Sequence, residues 1–387
     1  MMGNAEPQGQ FFHSVTLEEL VPQDHPLRKI RPLIDIQRIR ELCKDYYCQD
    51  NGRPSIPPEQ LFLAWLGGFL LGCRSDRKLV MELQCNMAFR WFVGLDMDTK
   101  VWDDTTLSAN RTRRFEGTDI FETLFDDTIR KAVSNGWVSD HWSIDGTLVR
   151  ANASHKSFVA IEPRETPEEY REMISGKKKA ERTGKKNDDD KDAGNPTVRW
   201  DGQKRSNATH RSTTDPDARL ACKGRDGAQP AYQVNGVMEN RNRILMGIGV
   251  EVFASSKGEQ EGGLRLIERA KQRLKLKPRT LGGDKGYFAA AFLQKLRNAR
   301  IRPHIAMLER ANQPIHRYAK RLAKTIGYQI SQRARKRIEE LWGEGKEQHG
   351  LRRFSRRGVE RVTQESFLIG WLLNLKRLAT LEAVASA

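Results

Sequence analysis

Apolar and polar side chains alternate along the stretch His141-Trp142-Ser143-Ile144-Asp145-Gly146-Thr147-Leu148-Val149. Alternation of this kind predicts a β-strand, because successive side chains of a strand point to opposite faces. One face would carry Trp142, Ile144 and Leu148, and the other Ser143, Asp145, Thr147 and Val149. Asp145 is unusual in this setting, because aspartate is disfavoured inside strands.

The residues before this strand have helical spacing instead. One helix is predicted from Pro26, with Asp24 as its cap, through apolar positions up to Leu42. A second starts after residues 55–59, and a third covers residues 121–133 and ends at an Asn-Gly pair. Residues 1–136 are therefore predicted to form a compact helical domain.

The residues after the strand alternate between strand-like and helix-like segments. Strands are predicted at residues 231–237, 243–253, 279–283 and 301–307, and helices at 262–274 and 288–299. This alternation favours an α/β domain over residues 137–387, so the fold class is α+β or α/β with a helical N-terminal domain. Residues 160–205 are rich in Lys, Asp, Glu and Gly and poor in apolar side chains, which predicts a disordered polar insertion.

The charge of the chain favours a polyanionic partner. Lysine and arginine number 67 against 50 aspartates and glutamates, a net charge of +17, and the pI is about 9.8. Residues 310–361 alone hold 15 basic and 5 acidic residues. Nucleic acid is the simplest such partner, and a membrane surface the weaker alternative.

Other classes of protein are disfavoured. The longest apolar run, residues 61–73, has 13 residues, fewer than the roughly 18–20 that span a bilayer. The N-terminus shows no signal peptide. The five cysteines include no Cys-x-x-Cys pair, which argues against a zinc site or a disulfide framework. We therefore expect a cytoplasmic protein that does not interact with membranes.

Three acidic residues could carry chemistry, and each has an ordinary alternative. Asp145 either faces water or is a carboxylate that a rigid sheet presents to a hard cation. Asp284 follows a predicted strand, where open α/β sheets place ligands, or it caps a helix. Glu339 shares a helical stripe with Arg335 and Lys346. It either pairs with Arg335 at the surface, or it turns toward the sheet while Arg335 and Lys346 face a substrate phosphate.

Carboxylates within a basic field are what phosphodiester chemistry requires. Mg²⁺ prefers a few carboxylates together with water and substrate oxygens. Two such ions about 3.5–4 Å apart activate the attacking oxygen and stabilise the leaving one. Phosphate contacts are predicted for the cluster that follows the Glu339 helix, namely Arg352, Arg353, Arg356 and Arg357.

Several longer motifs stand in one order along the chain. They occupy residues 21–28, 52–58, 89–95, 145–147 (Asp-Gly-Thr), 209–220, 238–241, 283–287 (Gly-Asp-Lys-Gly-Tyr) and the pattern Arg335-x3-Glu339-x6-Lys346. With these motifs the chain resembles bacterial insertion-sequence transposases of the IS5 family, of the DDE type. Two departures from the family pattern are Gln332, where relatives with the full signature have tyrosine, and the two glycines that flank Glu344. Glycines there would weaken the helix by about 1 kcal/mol each.

The resemblance implies a ribonuclease H-like catalytic domain over residues 137–387. It implies that Asp145, Asp284 and Glu339 are the catalytic, metal-binding carboxylates, with Mg²⁺ as the cofactor and Mn²⁺ as a substitute. It also implies cleavage at the element ends, strand transfer by a terminal 3′-hydroxyl, and inverted-repeat binding by the N-terminal domain. The expected partners are double-stranded DNA and, on DNA, a second copy of the chain in the bacterial nucleoid.

Two other functions stay open at this stage. One is a non-catalytic DNA-binding protein, a decayed or domesticated copy that retains the fold and the charge. The other is a metal-dependent nuclease on the same fold, without strand transfer. The presence of all three carboxylates favours the transposase.

Overall fold

The structure, a computed structural model, describes residues 16–48, 55–161, 206–222, 227–253 and 256–385. The predicted disordered insertion lies outside these ranges from residue 162 onward. In the described part of the chain, no helix is long and apolar enough to cross a membrane.

The residues up to Ser134 form short helices, as predicted. They are α1 (Leu17–Leu20), α2 (Pro26–Ile30), α3 (Ile36–Cys43), α4 (Pro58–Leu70), α5 (Asp76–Cys85), α6 (Met87–Val93), α7 (Asp104–Ala109) and α8 (Ile120–Ser134). The single helix predicted from Pro26 to Leu42 is wrong. Helix α2 ends at Ile30, and a separate helix, α3, begins at Ile36 with Asp35 as its cap. His25, not Asp24, caps the first, since its Nδ1 accepts from the backbone N–H of Leu27.

A six-stranded sheet follows the helices. The strands of the chain are β1 (His141–Arg150), β2 (Phe158–Ala160), β3 (His210–Ser212), β4 (Arg219–Ala221), β5 (Gln229–Glu239), β6 (Leu245–Val252), β7 (Thr280–Gly283) and β8 (Arg302–Ile305). β1 is central, with β5 antiparallel on one side and β7 parallel on the other. β6 and β4 pair with β5, and β8 pairs in parallel with β7, while β2 and β3 form a separate pair.

This topology confirms the predicted fold class. An antiparallel hairpin, a central first strand and two further parallel strands are the arrangement of a ribonuclease H-like sheet. The four predicted strands after β1 are all present, with ends that differ by a few residues. Strands β2, β3 and β4 were not predicted, because three residues are too few for alternation to show.

Helices cover both faces of the sheet. They are α9 (Ser256–Leu274), α10 (Ala290–Asn298), α11 (Pro314–Leu322) and α12 (Ile326–Gln348). On one face, Gly263 of α9 approaches β1 so closely that a Cβ there would lie 3.0 Å from Cγ1 of Ile144. On the opposite face, a Cβ on Gly236 would lie 2.6 Å from Cη2 of Trp342 in α12. The alternation in β1 therefore sets which side chains face which helix.

A last helix, α13 (Val359–Ala385), joins the helical region to the sheet. A Cβ on Gly370 would lie 3.1 Å from the Phe125 ring of α8 and 3.2 Å from Ile248 of β6. Asn374 accepts a hydrogen bond from the backbone N–H of Leu245 at 2.9 Å and donates to Oγ1 of Thr128 at 3.1 Å. The predicted division of the chain at residue 136 stays a prediction, because the C-terminal helix packs on both sides of it.

We expect Gly236→Ala to destabilise the protein by about 1–3 kcal/mol, because the new methyl group would overlap the Trp342 ring and push α12 off the sheet. The matched control is Gly343→Ala, in the same helix, where an added Cβ meets nothing within 4 Å. It should stabilise the helix by about 0.5–1 kcal/mol. Urea unfolding of both variants checks this, and equal effects would show that α12 is not seated as described.

Candidate active site

Asp145 lies in β1, and Asp284 directly follows β7, the parallel strand next to β1. Ser143 of β1 pairs with Gly282 of β7, and the same register, continued by two residues, places Asp145 beside Asp284. Both side chains are half-buried. Adjacent strands lie about 4.8 Å apart and residues in register share a face, so this continuation of the register predicts both carboxylates on one face at the C-terminal end of β7. The charges of both aspartates act on the buried Tyr287.

The loop after β7 holds Asp284 in place. Its Oδ1 accepts a hydrogen bond from the backbone N–H of Gly286 at 2.8 Å, which caps a single 3₁₀ turn at Lys285–Tyr287. Asp284 therefore caps this turn, as the structural alternative predicted. It also lies directly after a strand, as the ligand-binding alternative predicted. Gln332 of α12 donates to the carbonyl oxygen of Gly283 at 3.4 Å and also to that of His304. The residue that replaces the family tyrosine therefore fastens α12 to the backbone just before Asp284.

Tyr287 is a buried hydroxyl close to both aspartates. It donates to Oε1 of Glu259 at 3.3 Å. Burial raises the pKa of Tyr287 well above its ordinary value, and the negative charges of Glu259, Asp145 and Asp284 raise it further. Three carboxylates thus act on one hydroxyl, which stays neutral.

Glu259 is a site residue that the sequence did not reveal. It lies on α9, against the backbone of Gly146, where a Cβ would be 2.8 Å from its Cδ. The signal that could have found it is the glycine directly after Asp145, since a glycine inside a strand often marks a close approach.

Glu339 lies apart from this pair. Its side chain is 57% exposed, and Oε1 is 3.1 Å from NH1 of Arg335, whose own side chain is only 16% exposed. This is the surface pair that the sequence left open as an alternative. Within the described residues, no group of three or more His, Cys, Asp or Glu side chains is placed to hold a metal ion. The structure therefore brings Asp145 and Asp284 together and leaves Glu339 with Arg335.

Lys346 approaches the strand that carries Asp145. Its Nζ donates to Oγ1 of Thr147 at 2.5 Å, and the side chain is half-buried. Trp342 packs on Gly236, the β5 residue that pairs with Asp145. Trp342 and Lys346 thus contact the aspartate face of the sheet, while Arg335 and Glu339 lie at its border.

Glu344 anchors the helix between these residues. It forms an ion pair with Lys376 of α13 and lies 3.6 Å from Nε2 of His349. Hydrogen bonding by His349, followed by Lys376, lowers the pKa of Glu344 to about 2. The glycines on either side do not interrupt α12, which continues to Gln348.

The four arginines of the predicted phosphate-binding cluster at residues 352–357 fall into two groups. Arg352 is exposed and forms an ion pair with Glu347. Arg353, Arg356 and Arg357 instead line a surface cavity of about 630 Å³.

Two other motifs have structural contacts. Asp215 is fully buried and accepts from the hydroxyl of Tyr232 at 2.6 Å and from the N–H of Gly358 at 3.1 Å. Glu239, also fully buried, accepts from the backbone N–H of Ser139 at 3.2 Å and of Arg241 at 3.0 Å. These acids hold the loops around the sheet in place.

Comparisons with known proteins agree with this architecture. A family model described as "Transposase DDE domain" matches residues 139–375, which is more than half of the chain. A second, described as "Transposase domain (DUF772)", matches residues 15–113. No curated protein matches.

Among solved structures, the "Crystal structure of the Mos1 Strand Transfer Complex" is similar at 12% identity over 80% of this chain and 83% of that one, with a TM-score of 0.19. At that TM-score the likeness supports no statement about function, and the fold assignment rests on the strand order.

We expect Glu344 to make unfolding depend on pH. Because its pKa is lowered in the folded state, its contribution to stability is full above pH 4.5 and is lost as the pH falls toward 2. Glu344→Gln should cost about 1–3 kcal/mol at pH 7 and flatten the loss of stability in that window. Glu347→Gln, an exposed partner of Arg352, should change stability by less than about 1 kcal/mol. Thermal unfolding at pH 7, 4.5 and 3 measures this. Equal acid sensitivity of wild type and Glu344→Gln would contradict it.

Proposed function

The chain belongs to the Transposase DDE domain family, and we propose that it is the transposase of a bacterial insertion sequence of the IS5 type. Such an enzyme is a DNA transposase, which transfers polynucleotide ends. The observation that supports the proposal most strongly is the register of β1 with β7, which pairs Ser143 with Gly282 and, continued by two residues, brings Asp145 beside Asp284. We assign catalysis and metal binding to these two residues and to Glu339.

The carboxylates present fit a divalent cation. Two half-buried aspartates side by side provide the oxygen ligands that Mg²⁺ prefers, with room for water and substrate oxygens. When bound, a pair of Mg²⁺ ions, or Mn²⁺ as a substitute, supplies charge stabilisation to the attacking and leaving oxygens. Tyr287 and Glu259 support the aspartates from the other face of the sheet and do not contact the substrate in this proposal.

Arg335 and Glu339 would exchange partners when DNA binds. Glu339 is exposed and held only at the helix border by Arg335, so its carboxylate is free to leave that pair. Arg335 would then pair with a DNA phosphate, which matches a guanidinium better than one exposed carboxylate does. Lys346, held beside β1 by Thr147, would contact a phosphate near Asp145.

The substrate follows from the same chemistry. Water would attack the phosphodiester at the end of the element and release a 3′-hydroxyl. That hydroxyl would then attack a phosphodiester of the target DNA and displace the target's 3′-oxygen. We assign recognition of the terminal inverted repeats to the helical region, and we propose that two copies of the chain bind the two ends on the nucleoid.

We expect Asp284→Asn to lower cleavage of end DNA by at least about 10³-fold, because a metal-binding carboxylate is lost. Binding should stay within about threefold or tighten, since the basic residues supply the affinity. The assay uses a labelled duplex that carries the inverted repeat flanking the gene, a supercoiled target plasmid and Mg²⁺. Asp140→Asn, the same change just before β1, is the matched control and should retain activity.

The same assay separates the other functions. A metal-dependent nuclease would cut the duplex without joining it to the plasmid. A non-catalytic binder would shift the duplex and leave it intact, with wild type and Asp284→Asn alike. Loss of binding by a folded Asp284→Asn would show that Asp284 has a structural role instead.

A further inference from the structure

A surface cavity of about 630 Å³ lies between the helical region and the loop at residues 349–361. Its walls come from the end of α4, the start of α5, the residues around the end of α7, and that loop. Six arginines line it, namely Arg74, Arg111, Arg353, Arg356, Arg357 and Arg361, against the two carboxylates of Asp76 and Glu365. The cavity therefore carries an excess of positive charge.

Part of this charge is neutralised within the protein. Arg111 pairs with Asp76 at 2.6 Å. Arg361 pairs at 2.6 Å with Glu116, which lies outside the cavity wall. Glu365 is buried and accepts from the backbone N–H groups of Ser355 at 3.0 Å and Arg356 at 3.2 Å. The two carboxylates of the cavity are thus already occupied by Arg111 and by the loop backbone.

The remaining arginines of the loop are held by neutral oxygens. Arg353 donates to Oδ1 of Asn152 at 3.2 Å, and Arg357 donates to the carbonyl oxygen of the same residue at 3.0 Å. Arg356 donates to Oε1 of Gln364 at 3.4 Å. Burial and the nearby charge of Arg111 lower the pKa of Arg356 to about 10. These neutral hydrogen-bond partners leave the charges of Arg353 and Arg357 in place, while the charges of Glu365 and Asp76 offset part of that of Arg356. An anion would bind these guanidiniums through strong, charge-assisted hydrogen bonds.

The cavity has a fixed place relative to the aspartate pair. Asn152 follows β1 and donates to the carbonyl oxygen of Ser355 at 2.8 Å, and Phe354 donates its N–H to the carbonyl oxygen of Arg150 at 2.9 Å. The loop is thus fastened to the end of the strand that carries Asp145. The seven residues from Asp145 to Asn152, if extended, correspond to about 23 Å, the length of about seven base pairs of duplex DNA.

We propose that this cavity binds backbone phosphates of one strand of the DNA end, five to eight base pairs from the cleaved phosphodiester. The proposal rests on the proposed function and specifies its substrate contact. Arg353, Arg356 and Arg357 make the phosphate contacts, and Asn152 positions two of them. Three guanidiniums spread along one loop match a chain of phosphates, whereas a single free phosphate would engage only part of the set. Arg352, adjacent in sequence, lies outside the cavity and pairs with Glu347.

Salt dependence of DNA binding tests which arginines contact phosphates. With a 30-base-pair duplex of arbitrary sequence, Arg353→Ala/Arg356→Ala/Arg357→Ala should reduce the slope of log affinity against log salt by about 2–3 units. Arg352→Ala is the matched control and should reduce it by less than about 0.5 of a unit, because that arginine lies outside the cavity. Equal slopes for the triple variant and wild type would overturn the proposal. So would a triple variant that loses calorimetric binding of inorganic phosphate yet keeps the DNA slope, since the cavity would then be a free-anion site.

A second measurement needs no variant and covers the case in which the triple variant does not fold. Single methylphosphonate substitutions are placed along a duplex that carries the flanking inverted repeat, and the wild-type affinity is measured for each. Substitutions five to eight base pairs from the cleaved bond should weaken binding about threefold or more, because a phosphate charge is removed. An affinity profile with no sensitive position in that window would overturn the proposal. Absence of cleavage with the sensitive window intact would instead count against the proposed function alone.

Discussion

The parallel pairing of β1 with β7 is the constraint on which the rest of the site depends. It joins residues that lie 139 positions apart in the chain, from His141 with Thr280 to Ser143 with Gly282, and its continuation brings Asp145 beside Asp284. Each flanking layer serves to hold this pair of strands. On one face, Glu259 occupies the space that Gly146 leaves open and accepts a hydrogen bond from Tyr287. On the opposite face, Trp342 of α12 packs against Gly236, the β5 residue that pairs with Asp145.

Local pattern predicted the longer strands and several helices, but it did not predict how these elements pack together. The alternation at residues 141–149 predicted β1, and the helical stripe placed Arg335, Glu339 and Lys346 together on one side of a helix. The sequence could not show whether Glu339 pairs with Arg335 at the surface or binds a metal ion. A long glutamate side chain at that position can reach either partner. α13 went unpredicted for another reason. Its central residues are buried on nearly all sides, so no single apolar stripe is visible in the sequence.

The arginine cluster shows the same limit at the level of single residues. Four arginines within six positions are equivalent in sequence, and a common role is the natural prediction. The structure separates them by their neighbours: Glu347 takes Arg352, while Asn152 orients Arg353 and Arg357. Asn152 lies about 200 residues away in sequence, so only the fold could show that the guanidiniums of Arg353 and Arg357 both donate hydrogen bonds to it. The buried acids Asp215 and Glu239 likewise owe their roles to backbone N–H groups from distant loops.

The most direct test of the central claim locates a bound metal ion on the chain itself. Fe²⁺ replaces Mg²⁺ in the protein with end DNA, and ascorbate with peroxide then generates radicals that cut the backbone beside the ion. Mass spectrometry identifies the cuts. The paired aspartates predict cuts around residues 145 and 284, suppressed by excess Mg²⁺ and absent in Asp145→Asn, with a further cut near residue 339 if Glu339 joins them on DNA. Cuts that avoid both strands would contradict the assignment of the metal site to the pairing of β1 with β7.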